Sequence, residues 1–137
     1  MAQYWLLKTE PGEYSWSDLK RDGETEWDGV RAPAARRNLA HMKPGDLVLI
    51  YHTGSERAVR GVAMVTGLPY PDPEQPHGGI LVNVAWKRDL PRPVSLKEIK
   101  DSGLFPDWEL VRLPRLSVVP VSEAQWQKVM EWSGANQ

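Results

Sequence analysis

Asp46-Leu47-Val48-Leu49-Ile50-Tyr51-His52 is a short apolar run between two sets of turn residues, Lys43-Pro44-Gly45 before it and Thr53-Gly54-Ser55 after it. A run of this length and composition reads as a β-strand. Past the turn, Ala58 to Thr66 (AVRGVAMVT) returns as its hairpin partner. Gly61, inside that partner, predicts a bulge or a close approach by a ligand or by another stretch of backbone.

Working outward toward the N-terminus, Ala34 to Met42 reads as a helix rich in Ala, Arg and Leu, with Pro33 suited to a first helical position. Asp28-Gly29 is a turn pair. Ser15-Trp16-Ser17-Asp18 has the form of a capping box and opens a short helix that stops at Gly23. Gln3 to Thr9 (QYWLLKT) reads as a buried strand ended by Pro11-Gly12.

Toward the C-terminus, Leu68 to Gly79 holds four prolines and reads as a loop. Ile80 to Lys87 is a strand with Ile80, Val82, Val84 and Trp86 on one face, broken by Pro91 and Pro93. Ser95-Leu96-Lys97-Glu98 is a second capping box, opening a helix that ends near Gly103. Arg115 to Val121 is a last strand, with Pro120 at an edge or end. Ser122-Glu123-Ala124-Gln125 is a third box, before a helix with Trp126, Val129 and Met130 on one face.

About five strands and four short helices result. They do not alternate as strand-helix units, which argues against a doubly wound sheet. The expected class is α+β: a curved mixed or antiparallel sheet of about five to six strands, closing toward a barrel flanked by short helices.

The 137 residues suit a single domain spanning 1–137. With 41% hydrophobic and 26% charged residues the composition is ordinary for a globular chain, and a net charge of −1 gives no overall field toward polyanions. Any nucleic-acid binding must come from a local patch. The absence of cysteine excludes disulfides and thiolate chemistry and fits a reducing compartment. No apolar stretch approaches the roughly 20 residues of a membrane helix, and a strand-like run begins at once without a leader. A cytoplasmic monomer with no membrane association and no cofactor is expected. His41, His52 and His77 have no ligand spacing among them, so no metal is expected.

Several residues could carry chemistry. Lys8, Thr9 and Glu10 close the first strand with three polar groups; a carboxylate there can accept from the exocyclic amine of cytosine. On residue types alone a solvated strand end is the better reading. Trp27, between Glu26 and Asp28 and outside any apolar run, can stack a flat ring from a loop; a tryptophan folded over the sheet fits equally well. Arg31, Arg36 and Arg37 gather at a helix start, where free amides and the helix dipole favour a phosphate, although a bare charge run is more often a solvated face. Tyr51-His52 ends the clearest strand, where His52 could serve as a base or a ligand contact. The seven tryptophans against one phenylalanine are the unusual feature of the composition.

The chain resembles the EVE domain, a PUA-like family. The matching pieces are Tyr4-Trp5-Leu6-Leu7-Lys8-Thr9-Glu10-Pro11, Trp27-Asp28-Gly29-Val30-Arg31, Ala35-Arg36 with Asn38-Leu39, Met42-Lys43 with Gly45-Asp46, Tyr51-His52, Tyr70-Pro71-Asp72-Pro73, and Arg115-Leu116-Ser117-Val118 with Pro120-Val121. They follow in family order across nearly the whole chain.

The resemblance implies a PUA-like β-barrel and a non-enzymatic reader of modified bases in DNA or RNA, notably modified cytosines. Through the related YTH domains it also implies that Lys8-Thr9-Glu10 and Trp27-Asp28 line a base pocket. Val30, Tyr51, His52 and Ser117 lie in the matching motifs and are assigned to the same pocket, with Arg31, Arg36 and Arg37 as phosphate contacts. Ala32, Pro33 and Ala34 stand where many EVE domains carry Asn, an aromatic and Gln, so the rim is relaxed or the ligand differs.

Two other functions remain open. PUA-like ASCH domains include amidohydrolases that act on acylated cytidine with a Lys, a Thr and a Glu, the residue types at positions 8 to 10. A general RNA-binding or interaction module without a base pocket would instead use Trp27 as surface.

Overall fold

The computed structural model describes residues 3–135. The expected hairpin is its centre: β3 (Leu47–His52) runs antiparallel to β4 (Ala58–Val65). β1 (Tyr4–Thr9) lies parallel to β3 on its other side, with Lys8 level with Tyr51 and Thr9 with His52. β7 (Val118–Val121) pairs antiparallel with β1, and β6 (Ile80–Ser95) with β4. β2 (Glu24–Trp27) and β5 (Tyr70–Pro71) both add to β6. The seven-stranded sheet has the order β2-β6-β4-β3-β1-β7, with β5 off that path. One parallel pair in an otherwise antiparallel sheet makes it mixed, within the expected α+β class.

Five helices accompany it: α1 (Trp16–Asp22), α2 (Pro33–Ala40), α3 (Leu96–Asp101), α4 (Glu109–Arg112) and α5 (Glu123–Ser133). The three capping boxes form. At Ser15, Ser95 and Ser122 the hydroxyl accepts from the third helical amide, while Asp18, Glu98 and Gln125 accept from the cap amide. Each satisfies two of the donors a helix start leaves open.

Side chains alternate across a strand, so the central strands bury residues on both faces. On one face Trp5, Leu7, Ile50, Val82 and Val84 meet Trp16 and Leu19 of α1 and Leu39 of α2. On the other, Leu6, Leu49, Val62 and Val119 meet Ile99 of α3, Leu110 of α4, and Trp126, Val129 and Met130 of α5. α2 touches both β6 and β7, and its Asn38 Nδ2 donates to Val118 O at 2.8 Å. The sheet therefore curls around α2 in a barrel-like arrangement. Among the described residues no helix is long and apolar enough to cross a membrane.

Four details differ from expectation. β6 continues through Pro91 and Pro93. Val59 pairs with Val94 and Gly61 with Asp89, so Leu90 to Pro93 face Arg60 alone in a bulge, where proline removes no ladder bond. β2 and β5 are additional strands of four and two residues, too short to show a period. α4, one turn long, is also additional. The last strand begins at Val118 and not at Arg115. Gly61 sits at a bulge as expected, but the group that approaches it is the indole of Trp16.

Candidate functional site

The site is assembled where β1 ends. Thr53 N donates to Thr9 O at 2.9 Å, fixing that end on β3. Pro11-Gly12 then turns the chain, and the amides of Glu13 and Tyr14 both donate to Glu10 O at 2.9 Å. Thr9 Oγ1 donates to Tyr14 O at 2.6 Å, closing the loop. The Glu10 carboxylate accepts from Gly12 N at 3.1 Å.

Opposite this loop, β2 ends at Trp27, paired with Val82 on β6. The Asp28-Gly29 turn places Gly29 at φ +76°, which a residue without Cβ adopts freely, and returns Val30 to the core. Ser117, whose carbonyl accepts from Lys8 N at 3.0 Å, supplies the third wall. The cleft between them measures about 440 Å³. Lys8, Thr9, Glu10, Trp27, Asp28, Val30 and Ser117 all line it, so seven of the nine residues assigned to a base pocket from sequence meet there.

Tyr51 and His52 do not line it. Tyr51 is buried in the core on the opposite face of the sheet. His52 is 4% exposed. Its Nε2 accepts from Trp16 N at 2.9 Å, and its Nδ1 lies 2.8 Å from Glu56 Oε1. A backbone N–H can only donate, so Nε2 is the acceptor and Nδ1–H donates to Glu56. His52 clips the start of α1 to the sheet. Arg36 is also structural: its guanidinium donates to Val30 O at 3.1 Å, His77 O at 3.0 Å and Gln75 Oε1 at 2.8 Å, tying the 68–79 loop to α2. Arg31 and Arg37 are exposed.

Glu13, Tyr14, Thr25, Glu26 and Gly29 line the cleft as well and were not anticipated. No local signal marks Thr25 and Glu26, because the four residues of β2 are too few to show a period. Trp27 is the last residue of a strand and not a loop residue; it is 7% exposed and meets Tyr14 edge to face at 6.3 Å. Only a margin of its ring is free for a ligand.

Four carboxylates, Glu10, Glu13, Glu26 and Asp28, border the cleft, whereas the Lys8 ammonium lies over the Tyr51 ring at 5.7 Å, on the other face of the sheet. Burial lowers the Lys8 pKa, and its Nζ donates to Pro114 O at 2.9 Å. Tyr70 OH donates to Glu26 Oε2 at 2.6 Å, which raises the phenol to about 12. A larger depression of about 750 Å³ lies along Leu68 to Ile80. Its one charged lining residue, Asp72, already accepts from Glu74 N and Gln75 Nε2, so it offers little to read a polar edge. Among the described residues no three His, Cys, Asp or Glu side chains are grouped to hold a metal ion.

Comparison with known proteins gives a consistent picture. A family model described as the EVE domain matches residues 3–132. Human thymocyte nuclear protein 1 is 27% identical over 165 residues, covering 95% of this chain and 73% of that protein. A crystal structure of a protein from Agrobacterium tumefaciens is 37% identical with a TM-score of 0.93, covering 98% of this chain and 94% of that one. The crystal structure of human THYN1 protein in complex with 5-methylcytosine-containing DNA is 26% identical with a TM-score of 0.90, covering 99% of this chain and all of the other.

Proposed function

This chain belongs to the EVE domain family, and we propose that it binds nucleic acid by accepting one modified base, foremost a modified cytosine of DNA, into the cleft between Thr9, Trp27 and Ser117. The observation that carries this reading is the composition of the cleft. Trp27 and Val30 give it an apolar side, and four carboxylates give it an excess of acceptors. An excess of acceptors suits a base with an exocyclic amine, as cytosine has, and disfavours thymine, which presents O4 in the same place. The 5-methylcytosine DNA bound by human THYN1 protein supports the same ligand class.

Magnitudes set what the cleft can achieve alone. Full base-aromatic stacking contributes about 1–3 kcal/mol, and a Trp27 that is 7% exposed gives the lower part of that. Extracting a base from a duplex costs a few kcal/mol, so contacts to the backbone must supply the difference; Arg31 and Arg37 are the proposed contacts beside α2. A buried methyl adds about 0.8 kcal/mol, roughly fourfold in affinity. Discrimination by the 5-substituent is therefore modest.

Amidohydrolysis has less support. Thr9 Oγ1 gives its proton to the Tyr14 carbonyl and not to a base that would activate it, while the Lys8 amine is held on Pro114 O.

Fluorescence titration with short oligonucleotides carrying a single thymine, cytosine, 5-methylcytosine, 5-hydroxymethylcytosine or N6-methyladenine tests the proposal, in single and double strands. The expected result is preference for a modified cytosine over cytosine and weakest binding to thymine, with the preference lost in Glu10→Ala and Trp27→Ala. Equal binding to all five would overturn it, and release of acetate from N4-acetylcytidine would replace it with the enzymatic reading.

A further inference from the structure

A strand that delivers a base to this cleft cannot leave along Glu13, Glu26 and Asp28, because like charges would meet. With a net charge of −1, its phosphates need a local cationic surface. The strand register places one at the end of the sheet. Thr9 of β1 is level with His52 of β3, His52 with Ala58 of β4, and Leu7 with Val118 of β7. Arg57, the residue before β4, and Arg115, three residues before β7, therefore lie at the same end of the sheet as Lys8.

Two contacts and one longer-range charge effect relate the three residues. Lys8 Nζ donates to Pro114 O at 2.9 Å, next to Arg115. The same ammonium lies 5.7 Å from the centre of the Tyr51 ring. The charge of Arg57 reaches Tyr51 as well, opposing the rise that burial imposes on that phenol. Arg57 and Arg115 are exposed and stand outside every ion pair formed among the described residues.

Arg57 also sits at φ +46°, where among the described residues every other positive φ belongs to glycine. Glycine suits this conformation better. Its backbone is held there by Leu96 N donating to Arg57 O at 2.8 Å. A bulky cation kept in a glycine conformation points to use of its side chain.

We infer that Lys8, Arg57 and Arg115 form a phosphate-binding track for a nucleic-acid strand, at the end of the sheet beside the base cleft. The inference rests on the proposed base-reading role for what the strand delivers, and extends the phosphate contacts beyond α2.

The test titrates the full chain with two single-stranded oligonucleotides, one carrying a single 5-methylcytosine and one a cytosine in its place, over a range of salt. Wild type, Arg57→Gly, Arg115→Ala, the double variant and Arg57→Lys are compared. Arg57→Gly suits the observed φ, and melting curves confirm folding. Each lost contact should flatten the plot of log affinity against log salt by about 0.7, equally for both oligonucleotides, while Arg57→Lys keeps the wild-type slope. Unchanged slopes in the double variant overturn the track, even if the preference for the modified base stands. Reduced slopes with no base preference in wild type leave the track standing and remove the base-reading role. No binding of either oligonucleotide overturns both.

Discussion

Trp16 occupies the space that a side chain at position 61 would need. A Cβ on Gly61 would lie 2.0 Å from Trp16 Cζ2 and 2.3 Å from Cε2. The indole cannot retreat easily, because its Nε1 donates to Asp89 Oδ1 at 2.7 Å and its backbone N to His52 Nε2 at 2.9 Å. Overpacking a core typically costs about 1–3 kcal/mol, and this fixed ring places Gly61→Ala at the upper end. The urea midpoint should fall with an unchanged m-value; a wild-type midpoint would mean that the ring moves freely.

His52 acts on the same contact from the other side. His52→Ala removes the acceptor of the Trp16 N–H and strands a buried donor, at about 1–3 kcal/mol. Since His52 does not border the cleft, oligonucleotide affinity measured well below the melting temperature should be unchanged. A loss of affinity without a loss of stability would return His52 to the binding site.

These two residues show where sequence reading succeeds and where it stops. The β3–β4 hairpin, the three capping boxes and the inward face of α5 follow from local rules, so periodicity and turn chemistry announce them. Gly61 announced a close approach, but the partner comes from an element 45 positions away, which no local pattern encodes. β2 is four residues long, too short for a period, and so Trp27 read as a loop residue. Lys8-Thr9-Glu10, Trp27-Asp28-Val30 and Ser117 were legible as a group through family motifs. Arg36 and His52 were misread because a charged or titratable side chain looks the same in sequence whether it faces a ligand or a backbone carbonyl.

α2 begins without a side-chain cap, since its N-cap residue is Ala32. Ala32→Ser should stabilise the protein by about 1 kcal/mol, a rise in melting temperature of roughly 3–4 °C for a chain of this size. Ala34→Ser, one step inside the helix, should give no gain. Equal effects at the two positions would contradict the placement of the helix start.

Tyr70 should titrate late. Its pKa is raised from the ordinary 10.0 to about 12, chiefly by its hydrogen bond to Glu26. A pKa raised on folding stabilises the protein below the unfolded value, and that contribution disappears as pH rises from about 10 through about 12. Burial raises Tyr14 and Tyr51 as well, so Tyr70 is identified by difference in phenolate absorbance: Glu26→Gln should move one phenolate transition from about 12 down toward 10.0 and leave the others in place. An unchanged titration in the variant would mean that Glu26 is not its partner.

The most direct test of the cleft itself is a map of backbone and indole amide shifts during titration with an oligonucleotide carrying one 5-methylcytosine. The predicted changes centre on Lys8 to Glu10, Glu26 to Val30 with the Trp27 indole N–H, and Ser117. Changes confined to Leu68 to Ile80, around the larger apolar depression, would contradict the account and move the binding site to that loop.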